Sequence, residues 1–236
     1  MSIVDELKKE VARVFRERWD VQSVESVPET EDLVLSSNHA KELEDCTVLY
    51  ADLAASTHMV DAYKWSFSAE IYKNYLHCAA SLIRLNGGNV TAYDGDRVMA
   101  IYMGGSKSTA ATRTAFNIQW AVTQVINPAL RRQYENTDYS VSSVIGIDSS
   151  ILRATRTGVR KDNDLVWVGP AANHAAKLSS LPDDYSINIS EGIFDAINSS
   201  LKKRLNSSDP IWHEDRGAGF GGQPIYRTGY WREPIE

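Results

Sequence analysis

The chain has 236 residues, 43% of them hydrophobic and 24% charged, which fits a soluble globular protein of one large domain, or one domain with an extension. Its formal net charge of −6, with no basic block interleaved with aromatics, argues against nucleic-acid binding as the main task. No apolar run approaches the ~20 residues of a membrane span, and the segment from Met1 to Glu6 has no signal-peptide core, so a cytoplasmic protein without stable membrane association is expected.

In chain order, residues 3–19 are predicted to form an amphipathic helix, because Ile3, Val4, Leu7, Val11, Val14, Phe15 and Trp19 recur at helical spacing between charges. Such a stripe must be covered, by its own domain or by a partner subunit. Residues 20–44 are polar, contain Pro28 and an acidic run from Glu29 to Asp32, and read as a connection crossing the surface. Residues 1–43 would then be an N-terminal helix and connection, ahead of one domain over 44–232. The apolar run from Cys46 to Leu53 is the pattern of a central strand buried on both faces. The step Ala54-Ala55-Ser56-Thr57 follows it directly, and small residues between strand and helix let backbone N–H groups face an anion. A long helix is predicted over 59–86, ended by Gly87-Gly88, and a hairpin over 89–103 around the Asp94-Gly95 turn. A helix over 107–126 is broken or kinked by Pro128. Strands at 139–147, 151–156 and 165–168 lead to a small-residue helix at 171–181, then a strand at 186–189, a cap at Ser190, and a terminal hairpin within 209–231. Cys46 and Cys78 fall in apolar segments and give neither a disulfide framework nor a metal spacing, so both are expected as buried thiols. The order strand, helix, strand–strand, helix, strand is βαββαβ: an α+β fold with a ferredoxin-like core, helices on one face, extended by extra strands and the N-terminal helix.

The candidate chemistry rests on Asp52 and Asp96. Each has an ordinary explanation, Asp52 as a turn cap and Asp96 as part of hairpin chemistry. If the two strands are neighbours, however, the carboxylates converge and repel, and they need cations to stay ionised. Oxygen ligands of that kind suit Mg²⁺ or Mn²⁺ and, through the ion, a triphosphate. His58, His77 and His174 lack a metal-ligand partner at helical spacing and are expected as surface or packing residues, while Tyr93 and Asp94 could shape the hairpin tip.

Three segments resemble the class III nucleotidyl cyclases. Leu49-Tyr50-Ala51-Asp52-Leu53-Ala54-Ala55-Ser56-Thr57 is similar to the first metal motif of that family, and Gly95-Asp96-Arg97-Val98-Met99-Ala100-Ile101-Tyr102 to the second. The run from Val168 to Leu178, with Asn173 and Lys177, is similar to its transition-state helix. The resemblance covers roughly residues 44–190 and implies a catalytic domain that works as a homodimer. It implies that Asp52, Asp96 and the Leu53 carbonyl ligate two divalent cations, and that Ala55, Ser56 and Thr57 hold the phosphates. Asn173 would orient the ribose and Lys177, where the family usually has Arg, would face the α-phosphate. Metals would come from one subunit, Asn173 and Lys177 from the other.

The departures narrow the substrate. Purine cyclases of the family usually place Lys where this chain has Ala92, and Asp or Thr where it has Val166, so both base-reading positions are aliphatic. Tyr50 replaces the usual Phe, and Arg97 adds a donor fork. The combination resembles the pyrimidine cyclases of bacterial Pycsar anti-phage systems, which implies cyclisation of UTP, or next CTP, for a separate cyclic-nucleotide effector. Tyr50, Arg97 and Val166 are the nucleotide-contacting candidates. A non-catalytic cyclase-like binding module and a purine cyclase stand as alternatives. The family's triphosphate lysine has no clear counterpart between Arg216 and Gly222.

Overall fold

The computed structural model describes residues 2–216 and 222–235. The amphipathic helix α1 runs over Ile3–Arg16, three residues shorter than expected. A capping box between Ser2 and Asp5 starts it. The region from 20 to 44 is not a surface connection. It contains strand β1 (Asp20–Ser23) and the first part of β2 (His39–Leu53), which pair in parallel. Buried Leu33, Ala40 and Leu43 were hidden among charged neighbours, and the strand is one long element interrupted by a bulge between Leu43 and Cys46.

After β2 the predicted long helix is two, α2 (Ser56–Ala62) and α3 (Trp65–Leu85), because Tyr63 and Lys64 adopt extended backbone. The hairpin is as expected, β3 (Asn89–Asp94) and β4 (Arg97–Tyr102) around Gly95 at φ +61°. Pro128 does not break the next helix. Helix α4 (Lys107–Trp120) passes through a π-helical stretch, Ala121–Ile126, into α5 (Asn127–Gln133), where proline occupies the first turn and its missing N–H is tolerated. The two strands predicted at 139–147 and 151–156 are one, β5 (Ser143–Val159), which turns into β6 (Asp162–Val168). Helix α6 (Pro170–Ser179), β7 (Ile187–Ser190), α7 (Glu191–Ala196) and the antiparallel pair β8 (His213–Asp215) and β9 (Ile225–Thr228) complete the chain. Ser190 caps α7 as expected, its hydroxyl accepting from the Ile193 N–H.

The sheet order is β3-β4-β2-β5-β7-β9-β8, with β1 on β2 and β6 on β5. Its first four strands are antiparallel and carry the ferredoxin-like core. Alternation along β2 explains the two-sided burial. Leu49, Ala51 and Leu53 join Tyr75, Ala79 and Phe116 from α3 and α4 in one cluster, while Cys46 and Val48 join Ala171, Ala172 and Ala175 of α6 in another. Helices therefore cover both faces, not one as the core motif alone suggested. Cys46 is buried, and burial pushes its thiol up to about 12; Cys78 is half-buried.

Helix α6 lies close on β5 because Gly146 has no side chain there: a Cβ would run into the Ala175 carbonyl oxygen and the Ser179 nitrogen. These are backbone atoms, so Gly146→Ala is expected to lower stability by about 1–3 kcal/mol through overpacking, read as a lower urea midpoint at unchanged slope.

Candidate active site

The pairing of Ala51 with Val98 sets the site. Continued by two residues, that register lays Asp52 beside Arg97 and then Leu53 beside Asp96. Arg97 grips one Asp52 oxygen twice, Nε at 3.1 Å and Nη2 at 2.9 Å. The guanidinium also lies 6.0 Å from the ring centre of half-buried Tyr50. Burial raises the Asp52 carboxyl above its ordinary value; Arg97 opposes that shift, and the charges of Asp96 and Asp94 add to it. Tyr50 is raised by burial too, with Arg97 opposing and Asp94 adding. The two carboxylates expected to converge thus feel one another at one sheet end, and Asp94 belongs to the same field.

Asp96 is the less satisfied of the pair. Its Oδ2 is buried and has no hydrogen-bond partner. A buried, orphaned acidic oxygen whose charge is felt by a second carboxylate is an arrangement that a divalent cation would satisfy, so the residues fit a hard metal. Among the described residues no group of three or more His, Cys, Asp or Glu side chains is placed to hold an ion. Two carboxylates alone leave most coordination positions to other oxygens.

Beside the carboxylates the chain turns sharply. Ala55 takes a left-handed conformation, φ 54° and ψ 28°, immediately before α2, at a cost of roughly 1–2 kcal/mol for a residue with a Cβ. The turn is pinned by the Ala54 N–H donating to the Ser142 carbonyl at 3.0 Å. It leaves the first N–H groups of α2, from Ser56 and Thr57, outside the intrahelical ladder. The sequence reading missed Tyr72. Burial together with the charges of Asp96 and Asp52 raises the pKa of its hydroxyl. Tyr72 sits within the apolar stripe of α3, which hid its polar end. Tyr139, pushed up to about 12 by burial, Tyr63, Tyr72 and Asp96, closes the same side.

The remaining candidates lie elsewhere in the subunit. Asn173 and Lys177 are exposed, one turn apart on the outer face of α6. Val166 is exposed on β6, opposite Thr155 of β5. Asp52 is opposite Val144 of the same strand. The eleven positions from Val144 to Thr155 separate the two levels by roughly 35 Å at ~3.3 Å per residue. His58 and His77 are exposed, as expected. His174 is not merely a surface residue: its Nδ1 lies 2.9 Å from Asp148 Oδ2, and the Ser190 hydroxyl donates to Asp148 Oδ1 at 2.6 Å. That carboxylate, 8% exposed, ties α6, β5 and the start of α7 together beside Asn173. The stretch from Gly217 to Gly221, searched for a triphosphate lysine, lies outside the described residues.

Three proteins named uridylate cyclase are similar in sequence. That of Burkholderia cepacia is 55% identical over 181 residues, 77% of this chain and 79% of that protein. That of Xanthomonas perforans is 43% identical over 98% of this chain and 99% of that protein, and that of Rhodovulum sp. 36% identical over 99% of each. No protein-family model matches the sequence. Among solved structures, the adenylyl cyclase CyaB of P. aeruginosa superposes with a TM-score of 0.66 at 17% identity, over 84% of this chain and 99% of that one. The guanylyl cyclase Cya2 superposes with a TM-score of 0.64 at 17% identity, over 82% and 95%.

The anchoring role of Asp148 is open to measurement. Asp148→Ala removes the shared acceptor of Ser190 and His174, and is expected to cost about 1–3 kcal/mol in urea denaturation.

Proposed function

We propose a function on this premise: the chain belongs to the uridylate cyclase family, within the class III nucleotidyl cyclases, and it is a lyase that closes UTP to the 3′,5′-cyclic monophosphate with release of pyrophosphate. The reading is supported by the charge influence of Asp96, whose buried Oδ2 lacks a partner, on Asp52, in a chain 36–55% identical to three uridylate cyclases. CTP is the second candidate substrate.

Asp52 and Asp96, with the Leu53 carbonyl, would hold two divalent cations, Mg²⁺ or Mn²⁺. Bound there, such ions lower the pKa of the substrate's 3′-hydroxyl and neutralise the triphosphate. The chain's own groups do the rest. N–H groups after Ala55 and the hydroxyls of Ser56 and Thr57 take the phosphates. The 3′-oxygen forms its bond to the α-phosphorus as the bond to the pyrophosphate oxygen breaks, and no covalent enzyme intermediate is needed. Lys177 offers a positive charge to the extra negative charge on the α-phosphate, and Asn173 orients the ribose. Arg97 compensates Asp52 and presents its remaining N–H groups beside Tyr50, where a pyrimidine leaves room that a purine fills.

The site is completed by a second copy. Val166 sits roughly 35 Å along the sheet from the Asp52 of its own chain, too far for one nucleotide to touch both. A homodimer with two shared sites accounts for Asn173, Lys177 and Val166 being exposed on surfaces away from the carboxylates. The product would act through a separate cyclic-nucleotide effector, in keeping with a second messenger of anti-phage defence.

Incubation with each of the four NTPs and Mn²⁺, followed by chromatography, is expected to give cyclic UMP as the main product; preference for ATP or GTP rules the pyrimidine assignment out. Asp52→Ala and Asn173→Ala should each lower turnover by more than ~100-fold. Mixing the two variants should restore about a quarter of the wild-type rate, since half of the mixed population carries one intact shared site. Failure to complement overturns the shared arrangement.

A further inference from the structure

Helix α1 has an apolar stripe and no buried residue. Ile3, Val4, Leu7, Val11, Val14, Phe15 and Trp19 are all exposed, Phe15 at 86% and Trp19 at 52%. A lone 14-residue helix is marginal in water, and its stability in proteins comes from covering such a face. The helix is nevertheless held in a fixed direction. Asn38, 4% exposed, donates from Nδ2 to the carbonyls of Val14 at 2.8 Å and Glu17 at 2.9 Å, and its own carbonyl accepts from the Asp20 N–H at 2.8 Å. The clamp fixes the C-terminal end of α1 to the sheet corner while the stripe stays in water.

A groove opens at the foot of the same helix. It measures about 310 Å³ and is lined by Trp19, Val21, Ala40, Arg153, Thr155 and Val168. The registers put these residues on one face of β1, β2, β5 and β6, with Val166 on the same face opposite Thr155. Val21, Val166 and Val168 are exposed there, as is Ile151 two residues along β5 from Arg153. One chain therefore carries an uncovered apolar helix and an uncovered apolar sheet face.

We propose that α1 of each protomer packs on the β1-β2-β5-β6 face of a second copy, so that two reciprocal helix-in-groove contacts clamp the dimer. Three observations select a second copy as the occupant. The face carries Val166, which the functional reading above places against the other subunit, and the proposal rests on that reading. The helix and the groove occur once each per chain, so a two-fold axis satisfies both together and leaves neither exposed. The six stripe residues on α1 leave on the order of 600 Å² in water, at the top of the ~300–600 Å² range of a monomer's largest patch, and Trp19 at the groove adds to the apolar area a two-fold contact would bury. The polar side of α1 favours this over an anionic lipid surface. Lys8, Lys9, Arg13 and Arg16 are balanced by Asp5, Glu6 and Glu10, and Arg13 is already paired with Glu10 and Glu17. The stripe is also wider than the two-position seam of a coiled coil, because Ile3 and Phe15 flank Val4, Leu7, Val11 and Val14.

Sedimentation equilibrium of the full chain tests the clamp. Wild type is expected as a dimer. Leu7→Glu/Val11→Glu on the helix and Val168→Glu on the groove should each raise the dimer dissociation constant at least ~100-fold, with far-UV circular dichroism unchanged, since all three positions are exposed in the protomer. An equimolar mixture of the two variants should regain a dimer of intermediate strength, because one helix–groove contact in the mixed pair is intact. A helix variant that dimerises like wild type overturns the proposal. So does a groove variant that does so, which would mean that α1 pairs with α1, and so does a wild-type monomer. The masses are read without turnover: a wild type that dimerises through α1 but leaves all four NTPs intact overturns the functional reading and spares the clamp.

Discussion

Two carboxylates held together at the end of a buried strand are the constraint on which the rest of this molecule depends. Bringing Asp52 and Asp96 within each other's field while partly removing them from water is unfavourable twice over, by repulsion and by desolvation. The cost is tolerated because backbone geometry leaves no alternative. The β2–β4 register fixes Asp52 beside Arg97, and the Gly95 turn fixes Asp96 one residue away. Arg97 compensates one carboxylate, not both, which leaves the buried Asp96 oxygen without a partner. A cation placed between the two carboxylates would relieve both costs. The left-handed Ala55 beside them is a second local strain at the same corner, and the two together set that corner apart from the rest of the sheet.

The other half of the chemistry is organised by the opposite principle, close packing of small groups. Helix α6 approaches β5 through Gly146, Ala171, Ala172 and Ala175, so its buried side is nearly featureless and its polar residues are forced outward. Asn173 and Lys177 lie four residues apart on the exposed side of α6, opposite buried Ala171, Ala175 and Leu178. Asp148 then locks the helix through His174 and Ser190, fixing the position of the residue next to Asn173. Under the proposed function, activity and association would be coupled, because a protomer by itself would hold the two halves of the site at places that one nucleotide does not span.

How much of this was legible in the sequence depends on what each signal measures. The hairpin, the strand to Leu53 and both acidic positions could be read because Asp-Gly turns and unbroken apolar runs are local signals, and the pairing of strands 46–53 and 97–102 follows from the core topology. The first part of β2 was not legible. Lys41, Glu42, Glu44 and Asp45 mask buried Leu43, and a bulge shifts the alternation between Leu43 and Cys46, so no single period runs through the segment. The expected break or kink at Pro128 takes the form of a π-helical stretch before it, which lets the helix continue without that donor. The long β5 was split by the polar run Asp148-Ser149-Ser150, where Asp148 is in fact a buried acceptor. Tyr72 and Asp148 escaped notice because a polar atom at the tip of a packed side chain has no sequence signature apart from its partners.

Specificity here has a physical form that differs from recognition by hydrogen bonds. A pocket that reads a base edge with donors and acceptors rejects the wrong base strongly, because the unmatched polar groups are left buried and unpaired. Aliphatic residues at 92 and 166 offer no such penalty against a purine. In the proposed site, discrimination would then come from volume and from the polar pair Tyr50 and Arg97. Arg97 is already committed to Asp52 through Nε and Nη2, and that double contact fixes the plane of its guanidinium. A fixed plane against a fixed ring defines a slot of set width. In the proposed site, metal binding at Asp52 and base selection beside Tyr50 would share one side chain, and a change at residue 97 would act on both at once.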